Sequence, residues 1–182
     1  HKNEFGEIVV IPSGRGLHIG GREPWPLAAG DVFVIGGSRA HEYRELKDLR
    51  LINVLFQPAR LRLELSDLTT LAGYHALFVL DPAWRKHHPF QGRLHLPHRD
   101  LDALLVMIDK LDEELRERSP GFAFLATALL MQIITFLSRC YGRARNSDSR
   151  DLLRIAEVIA HLETHFQAPV NLDDLAGIAH MS

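Results

Sequence analysis

The sequence lacks an excess of basic residues. Its 21 Lys and Arg stand against 23 Asp and Glu, for a formal net charge of −2 at pH 7. Domains that bind nucleic acid usually carry a basic surface. The composition therefore argues against DNA binding by this stretch of chain alone.

Cysteine is also nearly absent, since Cys140 is the only one. This excludes an internal disulfide framework and fits a reducing compartment, so we expect a cytoplasmic protein. The longest uncharged stretch, residues 120–138, has about the length of a membrane span. It contains Thr127, Gln132 and Thr135 and lies between charged amphipathic helices, so we expect no membrane role.

The first third of the chain has the pattern of short strands separated by turns. We predict strands over residues 5–11, 15–19, 31–35, 41–44 and 50–56, with glycine and proline turn signals between them. The stretch from Gly30 to His41 is typical: a glycine turn, an apolar run, a second glycine pair and a histidine. Regular short spacing favours an antiparallel sandwich or barrel over βαβ units, and we interpret residues 30–41 as one wall of a pocket.

From Pro58 onward the pattern becomes helical. Residues 59–68 and 69–79 have helical character, whereas residues 82–97 form a predicted loop rich in histidine and basic residues. In that region His87, His88, His95 and His98 show no recurring zinc-site spacing, so we interpret them as solvated.

A leucine stripe then predicts a strong amphipathic helix, with apolar residues at alternating steps of three and four. Its members are Leu101, Leu104, Ile108, Leu111 and Leu115. Docking onto a sheet would explain this stripe, and so would a seam between two subunits. We predict that it forms a dimer interface.

The next predicted helix, residues 122–141, is apolar nearly all round and has to be covered on several sides. A polar stretch at 143–149 is interpreted as a linker. A third amphipathic helix follows and is stopped by Pro169, and Asn171 caps a fourth, with Asp174 three residues on as in a capping box. A helix, a break and a short capped helix are typical of the opening of a helix-turn-helix unit.

In this order of elements the sequence resembles the AraC/XylS family of bacterial transcription regulators. The most specific stretch is Val170-Asn171-Leu172-Asp173-Asp174-Leu175-Ala176 before Met181-Ser182. Within the family, Phe5-x-Glu7-Ile8-Val9, Gly30-Asp31-Val32-Phe33 and Leu51-x-Asn53-Val54-Leu55 are most similar to the rhamnose-responsive activators.

The resemblance implies an α+β chain. A cupin-like antiparallel β-barrel of the jelly-roll type occupies residues 1–58, and a helical dimerisation region completes the sensing domain at 59–142. A linker at 143–150 leads to the truncated start of a helix-turn-helix domain at 151–182. The implied partners are a second copy of the chain, a sugar effector such as rhamnose and, through the full-length protein, DNA and RNA polymerase. The recognition helices are expected beyond Ser182, so we do not expect this stretch to bind an operator.

Cupins that bind a metal use two spaced motifs, and this sequence keeps most of their spacing. His1, Asn3, Glu7 and Gly14 stand at the positions of the first motif, and Gly30, Gly36, Ser38 and His41 at those of the second. Asn3 replaces a histidine, and its amide is a poor ligand for a soft metal. We expect no cofactor. The alternatives are a divalent ion such as zinc or nickel on His1, Asn3, Glu7 and His41, a sugar-contacting polar cluster, or a structural role.

The predicted ligand-binding residues are Glu7, Trp25, His41, Tyr43 and Asn53. Trp25 could stack on the apolar face of a sugar ring or plug the barrel mouth. Asn53 alternates with Leu51 and Leu55, so these three share one face. If that face is the interior, Asn53 is a buried amide that a sugar hydroxyl or a neighbouring strand would satisfy.

Two functions remain from the sequence. The first is the ligand-sensing, dimerising part of a transcription regulator, which is not an enzyme. The second is a metal-dependent cupin enzyme acting on a sugar or small organic substrate. We favour the regulator, because four C-terminal helices are needless for such an enzyme.

Overall fold

A computed structural model describes residues 6–20, 24–36, 41–58, 67–84, 93–144 and 147–180. The chain is α+β, with a curled antiparallel sheet followed by helices. The strands are β1 (Gly6–Ile19), β2 (Trp25–Ala28), β3 (Asp31–Gly36), β4 (Glu42–Phe56) and β5 (Leu94–His95). The order β2-β1-β3-β5 forms the path of the sheet, and β4 pairs with β1.

The longest strand, β1, organises the sheet. Along one edge it pairs with β4 over its whole length, from Gly6 opposite Phe56 to Ile19 opposite Glu42. Along the other edge it pairs first with β3 and then with β2. Every other described strand except β5 therefore takes its register from β1.

Two predicted strand boundaries are wrong, because β1 and β4 are each continuous. The predicted turn at residues 12–14 lies inside β1, where the register with β4 shifts three times between Val10 and Leu17. Gly14 has φ +82°, and on β4 Glu45 and Asp48 have φ 52° and 49°. These are β-bulges, which bend a paired ribbon without ending it.

The bend closes the sheet into a cup. Straight β structure would separate Glu7 from His18 by about 36 Å at 3.3 Å per residue. Instead, His41 lies 3.9 Å from Glu7, and its ring is 5.6 Å from that of His18. The two ends of β1 therefore meet on the concave face.

The predicted turn at residues 24–26 is also wrong in part, because Trp25 opens strand β2. Pro26 lies opposite Leu17 within this pairing. Proline is tolerated there because β2 is at the end of the sheet path.

A short composite helix, α1, follows the sheet. It runs through α-helical Ala72–Tyr74, π-helical His75–Leu80 and α-helical Asp81–Trp84, after a 3₁₀ turn at Leu68–Thr70. This agrees with the helix predicted at residues 69–79, whereas the helix predicted at 59–68 falls mostly outside the described residues. Strand β5 lies inside the predicted histidine-rich loop, so the loop prediction is wrong at Leu94–His95.

Four further helices complete the chain: α2 (His98–Glu117), α3 (Phe122–Arg143), α4 (Ser147–Thr164) and α5 (Leu172–Ile178). The predicted cap of α5 is confirmed, because Asn171 Oδ1 accepts a 3.0 Å hydrogen bond from the Asp173 backbone. The predicted linker is too long, since α4 begins at Ser147.

The leucine stripe of α2 belongs to the core of this chain. Leu101, Leu104, Ile108 and Leu111 are at most 6% exposed and share one hydrophobic cluster with sheet and α3 residues. Their prediction as a dimer interface is therefore wrong, because a residue buried inside one chain offers no surface to a second. Leu115, which is 46% exposed, is the exception.

Helix α3 is long and apolar enough to cross a bilayer by length and composition. It also packs on α2 and α1 and buries eight residues, as the core helix of a folded domain does. Packing within this chain thus accounts for part of its apolar surface, whereas Phe124 and Leu125 near its start are exposed.

Candidate functional site

The two faces of the sheet bury different sets of residues. On β1, Ile8 and Val10 point to the helices and join their core. Val9 and Ile11 point the other way. That second, concave side has an apolar floor composed of Val9, Ile11, Leu27, Phe33 and Ile35. Because successive side chains of a strand point to opposite faces, one set of residues packs against the helices and the other lines the cup.

An aromatic cluster fills one side of the cup, and His18 is at its centre. The rings of Trp25, Phe33, Tyr43 and His41 lie 4.6, 5.2, 5.4 and 5.6 Å from that of His18. The register explains this grouping, because His18 is directly opposite both Trp25 and Tyr43. We refer to these five residues as the aromatic cluster.

Glu7 and His41 form the polar edge of the cluster. Their Oε1 and Nε2 atoms are 3.9 Å apart, and the side chains are 15% and 19% exposed. Both are thus largely withdrawn from solvent yet reachable. A carboxylate beside an imidazole presents an acceptor and a donor to a polar ligand.

Tyr43 adds a neutral hydroxyl. Burial raises the pKa of Tyr43 to about 12, and the nearby Glu7 carboxylate contributes to the increase. Among the described residues its buried hydroxyl has no hydrogen-bond partner. A ligand oxygen in the cup would supply one.

The structure brings Glu7, Trp25, His41 and Tyr43 together, and their binding role stays a prediction. Asn53 shares their face, because it lies opposite Val9. It is exposed and not the buried amide considered from the sequence. The cup is therefore open to solvent at this edge of β4.

For the metal prediction, the described residues offer two adjacent ligands, Glu7 and His41. His1 and Asn3 lie outside the described residues. Within the described ranges no group of three or more His, Cys, Asp or Glu could hold an ion. A metal on Glu7 and His41 would depend on ligands from the first five residues, so this prediction remains untested.

A second polar group, not predicted from the sequence, borders the aromatic cluster. The fully buried carboxylate of Asp31 accepts from Ala28 N at 2.8 Å, from Arg93 Nε at 2.9 Å and from His95 Nδ1 at 2.9 Å. The Arg93 guanidinium carbon is 5.8 Å from the Trp25 ring centroid. Asp31 thereby fixes β5 to the turn before β3 and positions Arg93 against Trp25.

A curled antiparallel sheet with a polar and aromatic concave face and helices on its back has the form of a small-molecule-binding domain. The model of the AraC-like ligand binding domain family matches residues 1–134. The chain therefore belongs to this family.

The curated relatives agree with this family. The chain is 28% identical over 177 residues to the HTH-type transcriptional activator RhaR of Salmonella agona, covering 95% of this chain and 58% of that protein. It is 24% identical over 174 residues to RhaR of Mannheimia succiniciproducens, covering 96% and 58%. The chain thus spans just over half the length of these relatives.

Among solved structures, the chain is similar to the AraC-like transcriptional activator CuxR. The TM-score is 0.45 at 15% identity, and the match covers 98% of this chain and 58% of that one.

Proposed function

We propose that this chain is the ligand-sensing part of a transcription regulator that responds to a sugar such as L-rhamnose. The observation that carries the proposal is the cup itself, where Glu7, His41 and Tyr43 surround an aromatic cluster in a family of ligand-binding domains. The rhamnose-type effector is supported by the similarity to RhaR proteins.

The chemistry of the cup suits a sugar. Aromatic rings cover the apolar face of a pyranose, while a few fixed donors and acceptors read its hydroxyls. Here the Glu7 carboxylate accepts, the Tyr43 hydroxyl donates, and the exposed Asn53 amide does both. Trp25 contacts the ring of Phe33, at 4.8 Å, and the Arg93 guanidinium, and both contacts restrict its position.

In the whole protein we propose further partners. The relatives are HTH-type transcriptional activators, which supports DNA binding by the full-length protein, contact with RNA polymerase and a cytoplasmic location. We also propose a homodimer, although the buried leucine stripe does not form its interface. A regulatory role makes this chain a binding protein and not an enzyme.

The metal-dependent enzyme is the second candidate, and one observation favours it. Glu7 and His41 stand close enough to share an ion after modest side-chain movement. We place it second because two residues do not complete a metal site.

The test is a thermal-shift titration of the chain with L-rhamnose, L-arabinose and other sugars, each with and without zinc or nickel. Ligand at a hundred times its Kd stabilises by about 2.7 kcal/mol, which for this size raises Tm by about 5–10 °C. Glu7→Gln is expected to remove most of the shift. Glu42→Gln is the matched control, because Glu42 alternates with Tyr43 along β4, so its side chain lies on the opposite face from the cup and pairs there with Arg44.

A Tm that no sugar changes would contradict the proposed effector class. A full shift retained in Glu7→Gln would remove Glu7 from the site. Stabilisation by metal alone, at one equivalent and lost in His41→Ala, would favour the enzyme.

A further inference from the structure

Helix α4 is seated on the sensing part of the chain. Leu152, Ala156 and Ala160 are 3%, 0% and 6% exposed. Ala156 belongs to the same hydrophobic cluster as Ile8 and Val32 of the sheet. The helix predicted to open a separate domain therefore shares a core with the helix-facing side of the sheet, whose other side lines the cup.

At the end of α4, Glu163 occupies a position that helix physics disfavours. It lies in the last turn, where the helix dipole is negative and a carboxylate is repelled. Its Oε2 atom is 3.9 Å from Nε2 of the buried His75. Glu163 also contributes, after burial, to raising the pKa of the neighbouring Tyr74. A carboxylate that is unfavourable within its own helix is thus placed against another element.

The geometry around His75 fixes the proton on Nε2. This nitrogen is 2.8 Å from the Thr69 carbonyl oxygen, and its other polar neighbour is the Glu163 carboxylate. Both neighbours are acceptors, so Nε2 carries the hydrogen. The N–H group donates to Thr69 and faces Glu163 at longer range.

His75 begins the π-helical segment of α1, and this helix also reaches the cup. Pro82 at its end lies against Gly36, since a Cβ added to Gly36 would be 3.5 Å from Pro82 Cβ. Gly36 ends β3, whose Phe33 and Ile35 line the cup. Short π segments within helices occur frequently at functional sites.

Helix α1 cannot easily move independently of α3. A Cβ on Gly73 would be 1.9 Å from the Ser138 carbonyl oxygen, so the two helices touch at the backbone. Since α1 is fixed to α3 at Gly73, a displacement of β3 against Pro82 would act on α1 and α3 together.

We propose that the contact between His75 and Glu163, which we call the latch, holds the end of α4 on α1. A ligand bound in the cup would then change this contact through β3 and Pro82. The regulatory half of this proposal, that a ligand in the cup controls the latch, rests on the proposed function. A ligand changes the latch only by binding its closed and open arrangements with different affinity.

The latch is tested by hydrogen exchange on the chain carrying Glu163→Ala. Alanine is the best helix former, and the substitution removes an unfavourable charge from the last turn. Without a latch, these two effects would stabilise α4 and slow the hydrogen exchange of its amides. The latch predicts the opposite, an increase of about fivefold or more in the exchange of amides in the second half of α4, with β1 and β3 unchanged.

Asp151→Ala is the control on the same helix, because Asp151 pairs with Arg154 of α4 itself at 3.5 Å. It is expected to leave the second half of α4 unchanged. Unaltered or slower exchange in Glu163→Ala would overturn the latch. An equal increase throughout the chain would also overturn it, because it would mean a general loss of stability.

A second set of measurements adds L-rhamnose. The regulated latch predicts that the sugar changes exchange in α4 of the unaltered chain and not in Glu163→Ala. Protection of β1 and β3 with no change in α4 would overturn the regulatory half and leave the proposed function standing. If L-rhamnose protects no segment, the proposed effector fails, whereas the Glu163→Ala result still decides the latch.

Discussion

At the scale of single residues, Gly14 shows how the cup depends on one backbone conformation. Its φ is +82°, and a Cβ there would be 2.2 Å from the Asp48 carbonyl oxygen on β4. Gly14→Ala is expected to lower the free energy of unfolding by about 1–3 kcal/mol or more, measured by urea denaturation. Gly142→Ala in α3 is the control, because an added Cβ there meets nothing within 4 Å. A variant as stable as the control would show that the bulge at Gly14 does not require glycine.

The hydroxyl of Tyr43 makes stability depend on alkaline pH. Its pKa is about 12 in the folded chain against 10 for an exposed tyrosine, because burial and Glu7 disfavour the phenolate. Between pH 10 and 12 the unfolded chain loses this proton while the folded chain keeps it. Stability from this group is therefore complete below pH 10 and is lost as pH rises through 12.

Tyr43→Phe is expected to flatten the loss of stability between pH 10 and 12. Absorbance titration of tyrosinate should also lose a group that titrates near pH 12. Glu7→Gln, which removes the second cause of the raised pKa, is expected to lower that pKa only in part. A Tyr43→Phe titration curve identical in shape to the unaltered one would place the hydroxyl in solvent.

The candidate site could be predicted in part from single residues. Motif spacing identified Glu7 and His41, because that spacing depends on fixed strand and turn lengths. His18 was missed, since its place opposite Tyr43 depends on a register that the bulges shift. Arg93 was missed because β5 is two residues long and leaves no alternation to detect.

At the scale of elements, the leucine stripe distinguishes core from surface on one helix. Leu104 is fully buried and Val106, two residues on, is 55% exposed. Leu104→Ala is expected to cost about 2–5 kcal/mol of unfolding free energy, whereas Val106→Ala changes it by less than about 0.5 kcal/mol. If both substitutions lowered the unfolding free energy by similar amounts, and the unfolding transition depended on protein concentration, the stripe would be a subunit interface after all.

The helices were predicted more accurately than the strands for a physical reason. The periodicity of α2 and α3 is local, so the sequence alone identifies both helices and places the ends of α3 to within two residues. The extent of β1 depends on its pairing with β4, which lies far away in the sequence. Because the bulges allow Pro-Ser-Gly to lie within β1, a sequence typical of a turn does not end the strand there. The start of α4 was predicted too late, because residues 143–149 are mostly polar. Such a composition fits the first turn of a helix as well as it fits a linker.

At the scale of the whole molecule, one cluster joins sheet, α2, α3 and α4. Ile8 and Ala156, far apart in the chain, belong to it together. The predicted domain boundaries at 58, 142 and 150 are therefore crossed by a shared core among the described residues. The sheet and helix α4 therefore share one packed core, as the proposed latch requires.

Exposed apolar residues near the turn between α2 and α3 offer a surface for the proposed dimer. Leu115, Phe124 and Leu125 are 46%, 84% and 46% exposed, and all three lie near the short turn between α2 and α3. Clustered apolar surface of this kind marks interaction sites. Since the rest of the stripe is buried, this end of the helix pair is one surface that the proposed dimer could cover, and we choose it because Leu115 belongs to the stripe.

Sedimentation equilibrium tests this interface over a range of micromolar concentrations. We expect the unaltered chain to self-associate and Phe124→Ser to weaken association by about tenfold or more, as loss of a central aromatic anchor does. Phe166→Ser is the control, because Phe166 is equally apolar and 76% exposed but lies beyond α4. A chain that stays monomeric throughout, or an effect of Phe166→Ser as large as that of Phe124→Ser, would contradict a dimer built on the α2–α3 turn.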